Sequence, residues 1–198
     1  MIGQEIFNYI QSFAPKFRGA KTVPQYLALI RKILKPYGVQ FNSTYDDTNT
    51  AASIISVGGF FDGDLDFGSK DIQMYFIVNK SELNNTFDLT DEDINILLCE
   101  LFKTLMHEMR HRYQFEQRGF DYGHQYRTKV KDEDLKQELE YYGNDDEVDA
   151  YAQEAVIEQQ IYGRSETLAK YRELFYEHDD KLYKKFLKKL GKLNGKSK

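Results

Sequence analysis

The stretch 105–111 reads LMHEMRH, which places His107 and His111 four residues apart with Glu108 directly after the first. On an α-helix such residues lie about 40° apart around the axis, so both imidazoles can reach one divalent metal ion from adjacent turns. Glu108 lies about 100° round from His107, beside the ion, where it could hold a metal-bound water. The stretch therefore predicts a two-histidine metal site with a neighbouring base.

The helix that carries this stretch is predicted over residues 90–118. Thr90 is its expected N-cap, acidic residues follow in its first turn, and Gly119 is its expected stop. Apolar residues at helical spacing form a stripe that should face the core, and both histidines fall on the opposite, polar side, which we expect to be open to a cleft. The stripe consists of Ile94, Leu98, Phe102, Leu105, Met109 and Tyr113.

A third protein ligand is needed, because zinc in a hydrolase usually takes three and keeps one position for water. A second helix is predicted over 146–162, and its first turn holds Glu147, 36 residues after His111. Glu147 and Asp149 lie about 160° apart on that helix, so both cannot face one ion. We predict Glu147, which has the small Ala150 on its side; Asp149 is the alternative.

The chemistry expected of this site follows from charge. A bound zinc can lower the pKa of its water to about 7, and Glu108 can take the proton and later deliver it to the leaving nitrogen. The tetrahedral oxyanion needs a further donor, for which the candidates are His124, Tyr141, Tyr142 and Tyr151. We place His124 and Tyr142 first because they lie in the segment that links the two ligand helices.

The remaining chain predicts an α+β protein. Helical spacing covers residues 1–14 and 24–36, and short β-type runs between 38 and 80 predict a small mixed or antiparallel sheet. A short helix is expected at 132–142, Asp145-Asp146 should cap the next helix, and 165–198 should form one last helix with a basic tail. At 198 residues the chain suits a single domain.

Composition narrows the classes of partner. The single Cys99 cannot form an internal disulfide, which fits a reducing compartment, and no signal peptide or run of 18 apolar residues is evident. The net charge is -5, although residues 181–198 carry eight lysines and no acid. An acidic body disfavours nucleic acid as the main ligand. The basic tail could contact an acidic partner, or simply form a docked helix with a solvated lysine face.

The two-histidine motif followed by a helix reading Glu147-x-x-Ala150 resembles the gluzincin zinc metallopeptidases, over about residues 90–160. In size and in its HEMRHRYQ run the chain looks most like small metallopeptidases encoded by phages and mobile elements. The resemblance implies a zincin-like fold, with a sheet packed on the active-site helix and a mostly helical C-terminal part. It also implies His107, His111 and Glu147 as zinc ligands and Glu108 as the general base.

Several gluzincins carry an acid four residues after the ligand glutamate to orient a histidine, whereas this chain has Tyr151 there. Glu154, Glu100 or a backbone carbonyl could take that role instead. The expected function is a zinc metallopeptidase that acts on protein or peptide substrates in the cytoplasm of a bacterial or infected host cell, or in association with a virion. The alternatives are a phage structural or interaction protein with a non-catalytic or vestigial zinc site, and a metal-dependent amidase.

Overall fold

The computed structural model describes residues 1–46, 55–61, 72–118, 133–176 and 178–195. It is a mixed, mostly helical structure with small sheets, in agreement with the predicted α+β class. Its contacts divide the chain into two compact units. The first unit is Gly3–Met109, and the second unit is Arg110–Lys198 together with Met1–Ile2. The single domain expected from chain length stays a prediction.

Three helices open the described part of the first unit; the first and third lie where the sequence predicts helical structure, and the second lies largely between the two predicted stretches. They are α1 (Gln4–Gln11), α2 (Ala14–Phe17) and α3 (Val23–Leu34). Helix α3 begins with the side chain of Gln25 accepting a hydrogen bond from the backbone N–H of Thr22 at 2.8 Å, which satisfies a donor that helix geometry leaves open. Its apolar residues recur every three or four positions and are buried, which confirms the periodicity: Val23, Tyr26, Leu27, Ile30, Ile33 and Leu34.

Within the described residues of the first unit, five strands form two sheets. Strands β1 (Lys21–Thr22) and β5 (Thr86–Phe87) make an antiparallel pair. The larger sheet has the order β2-β4-β3, with β2 at Gln40–Asp46, β3 at Ile55–Phe61 and β4 at Ile72–Asn79. Strand β4 runs parallel to β2 and antiparallel to β3, so this sheet is mixed, as one of the two predicted forms.

The central strand β4 is amphipathic with the period of two that strands require. Ile72, Met74, Phe76 and Val78 are buried, and the alternate side chains are partly exposed. The ring of Phe41 stacks on Phe76 with centroids 4.5 Å apart, across the parallel pair. One face of the sheet therefore contributes to the core of the first unit.

Helix α4 (Asp91–Gln117) carries the histidine motif and continues from the first unit into the second, with the division between Met109 and Arg110. Its start is capped as expected, because the Thr90 hydroxyl accepts from the Asp93 N–H at 3.1 Å and the Asp93 carboxylate accepts from the Thr90 N–H at 3.0 Å. The expected stop, Gly119, lies outside the described residues.

The second unit is helical over its described residues. Its helices are α5 (Glu133–Gly143), α6 (Asp145–Tyr162), α7 (Glu166–Tyr176) and α8 (Asp180–Gly195). The short helix expected at 132–142 is confirmed by α5. A shared apolar core holds these helices together, formed by Leu139, Val148, Ala152, Ala155, Val156, Tyr171, Phe175, Leu182, Phe186 and Leu190.

Two sequence predictions about helix ends in the second unit are wrong. Asn144, and not Asp145-Asp146, is the N-cap of α6, and its side chain accepts from the Asp146 N–H at 2.9 Å. The stretch expected to be one helix from 165 is two, because the Asp179 carboxylate accepts from the N–H groups of Lys181 and Leu182 and starts α8. In both cases the residue directly before the helix uses its side chain to accept hydrogen bonds from backbone N–H groups of the first turn.

Candidate metal centre

The motif residues are more enclosed than the sequence predicts. His107 is 8% exposed and Glu108 is 5% exposed, although both belong to the polar side that we expected to be open. Periodicity identifies the apolar stripe of a helix, but it does not show whether polar neighbours cover the other side. The stripe itself is buried from Ile94 to Leu105, whereas Tyr113 is 49% exposed, so its assignment to the core is wrong.

The three predicted ligands lie together. His107 and His111 occupy successive turns of the continuous helix α4, and Glu147 lies in the first turn of α6. One ligand atom from each of the three residues can be chosen so that all lie within 4.8 Å of one another. The Nε2 atom of His111 is 3.5 Å from the Oε1 atom of Glu147.

These donors fit zinc in chemistry, and the His111–Glu147 pair also fits it in spacing. Two imidazole nitrogens and one carboxylate oxygen are a set that catalytic zinc uses, with one position left for water. At zinc–ligand distances near 2.1 Å, two ligand atoms of a tetrahedral site are separated by about 3.4 Å. The His111–Glu147 separation of 3.5 Å matches that value, while it is long for a hydrogen bond.

Two ion pairs on either side of Glu147 hold α6 against the second unit's part of α4. The Arg118 guanidinium binds both carboxylate oxygens of Asp146 at 2.6 Å, and Arg110 contacts the Asp149 carboxylate at 2.5 and 2.6 Å. The Arg118 contact is bidentate, which fixes orientation as well as distance, while both Arg110 nitrogens contact the same oxygen, Asp149 Oδ2. The two ion pairs place the first turn of α6, and Glu147 with it, beside His111.

Asp149, the alternative ligand, is engaged elsewhere. Besides Arg110 it accepts a hydrogen bond from Gln114 Nε2 at 3.0 Å and contacts Lys189 Nζ at 3.2 Å. Burial by itself would raise the pKa of the Asp149 carboxyl, but the charge of Arg110, the hydrogen bonds and the charge of Lys189 outweigh it and lower the pKa below its ordinary value. Asp149 is thus an ionised anchor with its own cations.

His111 contacts Gln114, a glutamine to which the sequence analysis assigned no role. Gln114 Oε1 lies 2.9 Å from His111 Nδ1, and Gln114 is itself buried. The candidates suggested for orienting a histidine have other neighbours: Glu154 accepts from the Thr167 hydroxyl at 3.4 Å, and Glu100 contacts Lys103. The spacing of three residues after His111 on one helix was the available signal for Gln114.

The candidate oxyanion donors are only partly located. His124 lies outside the described residues. The Tyr142 hydroxyl is 2.5 Å from Lys170 Nζ, and the Tyr142 ring packs against Tyr151 and Tyr171 with centroids 5.3 and 6.0 Å apart. Burial, followed by the charge and polarity of neighbours that include Glu147, raises the pKa of Tyr151, so its hydroxyl keeps a proton to donate at neutral pH.

Comparison with known proteins adds no relative of this chain. No protein-family model, curated protein or solved structure matches it. Within the described residues, no helix is both long and apolar enough to cross a membrane. The basis for a functional proposal is therefore the candidate metal centre and the residues around it.

Proposed function

We propose that this chain is a zinc-dependent metallopeptidase of the gluzincin type, with a zincin-like fold. The observation that carries the proposal is the grouping of His107, His111 and Glu147 within 4.8 Å, from two separate helices, beside the glutamate of the same motif. His107 is followed directly by Glu108, which a purely structural zinc site would not need. The substrate would be a peptide bond of a protein or peptide.

The three ligands would hold zinc and leave one coordination position available. When bound, zinc supplies a Lewis acid that polarises a carbonyl oxygen and makes water acidic. Glu108 accepts one proton from the water that attacks the peptide carbonyl carbon, and it returns that proton to the leaving nitrogen as the C–N bond breaks. The carboxylate of Glu108 suits this shuttle because its Oε2 atom is shielded from bulk solvent.

The test separates metal binding from chemistry. Glu108→Gln keeps the shape of the side chain and removes the base, so it should hold about one zinc per chain, the same content that we expect of the wild type. Hydrolysis of a proteome-derived peptide library should fall at least about 100-fold, since general-base catalysis typically contributes 10²–10⁴. Metal analysis and mass-spectrometric profiling of new N-termini measure the two quantities on the same samples.

Glu116→Gln is the matched control, because it makes the same exchange on α4 at an exposed carboxylate that pairs with Arg112. It should cleave the library at the wild-type rate. Wild-type turnover by Glu108→Gln would remove the proposed mechanism. A wild type that holds zinc but cleaves no peptide would favour the non-catalytic alternative, a structural or interaction protein with a vestigial site.

A further inference from the structure

We propose that Gln114 is the positioning residue for His111, and that Asp149 acts through Gln114 to keep the Nε2 atom of His111 directed at the metal ion. The proposal rests on the proposed function for the identity of the ion. The chain would thus use a relay of Asp149, Gln114 and His111.

The orientation of the Gln114 amide is fixed by its neighbours. Its Nε2 atom lies 3.0 Å from the Asp146 backbone oxygen and 3.0 Å from Asp149 Oδ2. Both of these neighbours only accept hydrogen bonds, so the amide nitrogen, which only donates, must face them. The reversed amide would direct its oxygen at two other oxygens. Gln114 Oε1 therefore has to be the atom that faces His111.

The amide orientation determines which nitrogen of His111 carries the proton. Gln114 Oε1 accepts but does not donate, so the contact of 2.9 Å requires a proton on His111 Nδ1. A neutral imidazole has one such proton, which leaves a lone pair on Nε2. The Nε2 atom that carries this lone pair lies 3.5 Å from Glu147 Oε1, and a cation bound between the two atoms would take both as ligands.

The other end of the relay is rigid because Asp149 is held from three sides. Arg110 and Gln114 reach it from α4, and Lys189 reaches it from α8. Gln114 is 8% exposed, so water does not compete freely for its amide. An imidazole ring whose Nδ1–H bonds to such an acceptor keeps its plane and its tautomer before the metal arrives, which lowers the cost of binding.

The test uses the full chain with ¹⁵N-labelled histidine and two measurements that need no substrate. In the metal-free wild type at a pH where imidazoles are neutral, NMR should show the His111 proton on Nδ1. Zinc affinity, measured by competition with a chelator, should be 10–100-fold weaker in Gln114→Leu, the range typical for a lost partner of a ligand. The same variant should show a mixture of His111 tautomers.

Gln153→Leu is the matched control, because Gln153 is a glutamine of similar burial, 7% exposed, on α6. The His111 tautomer and the zinc affinity of Gln153→Leu should equal those of the wild type. This control separates the positioning of His111 from a general loss of packing. A proton on Nε2 of His111 in the wild type would overturn the proposal, even if Gln114→Leu does not fold. Zinc affinity in Gln114→Leu within twofold of wild type would also overturn it. The relay can hold while peptide cleavage is absent, so the failures of the two proposals are distinguishable.

Discussion

Exchanging Glu147 and Asp149 of α6 for amides, one at a time, should separate a loss of zinc affinity from a loss of stability. Glu147→Gln and Asp149→Asn each keep the shape of the side chain and remove one negative charge. Glu147 belongs to the proposed ligand set, while Asp149 is bound to Arg110, Gln114 and Lys189. We therefore expect Glu147→Gln to lose zinc affinity and Asp149→Asn to lose stability.

The magnitudes follow from the contacts. Charge-assisted hydrogen bonds contribute about 1.5–3 kcal/mol each, and the Arg110 contact is the one that is largely shielded. Lys189 is 40% exposed, so its ion pair adds little. The amide oxygen of Asn can still accept from Gln114, which limits the loss to about 2–3 kcal/mol. For a chain of this length that is a fall of about 4–12 °C in the unfolding midpoint.

Removing a metal ligand should cost more affinity than removing a partner of a ligand, so Glu147→Gln should bind zinc more than about 100-fold more weakly. Asp149→Asn should stay within about tenfold of the wild type. Chelator competition measures the affinities, and calorimetry of the metal-free proteins measures the midpoints. If Asp149→Asn loses zinc while Glu147→Gln retains it, Asp149 is the third ligand and the reasoning from the ion pairs fails.

Two further substitutions, Tyr171→Phe and Gly3→Ala, test packing within the two units, and Gly191→Ala is a control. Burial raises the pKa of Tyr171 above 10.0, so the unfolded chain ionises first and the native state loses stability as pH rises above 10. Tyr171→Phe should lower the free energy of unfolding by about 1 kcal/mol at pH 7, because the hydrogen bond to the Tyr142 backbone oxygen is lost. Above pH 10 the wild type loses about 1.4 kcal/mol of stability per pH unit, so the variant should become the more stable protein near pH 11. Urea unfolding that shows the same difference at every pH would contradict this. Gly3→Ala should destabilise by about 1–3 kcal/mol, because φ is +64° and the new Cβ would lie 2.9 Å from Met106 Sδ. Gly191→Ala, with open space at its Cβ, should not destabilise in the same thermal melts.

The helices and strands were largely predictable because their signals are local. The spacing of apolar residues predicted α3 and α4, and a short β-type run predicted β4. The ends were less predictable where two capping residues competed. Asn144 starts α6 although Asp145-Asp146 also has the composition of a cap, and Asp179 divides a stretch whose periodicity continues on both sides.

The grouping of the ligands was predictable in part. The angle between Glu147 and Asp149 on one helix excluded their sharing an ion, and the structure groups Glu147 with the histidines. The relay through Gln114 was not predictable, because it depends on Asp149, 35 residues further along the chain. Contacts over such separations are set by tertiary packing, which one sequence does not reveal.

The packed tyrosines beside α6 give the molecule an intrinsic optical reporter. The chain has no tryptophan, so tyrosine is its dominant fluorophore. The ring centroids of Tyr151 and Tyr171 lie 5.6 Å apart, and the charge of Glu147 raises the pKa of both hydroxyls in addition to burial. A cation that neutralises this carboxylate changes the field at both rings. Under the proposed function, ultraviolet emission should therefore change as zinc is added, without any added label, and Tyr171→Phe identifies the share of that change that comes from Tyr171.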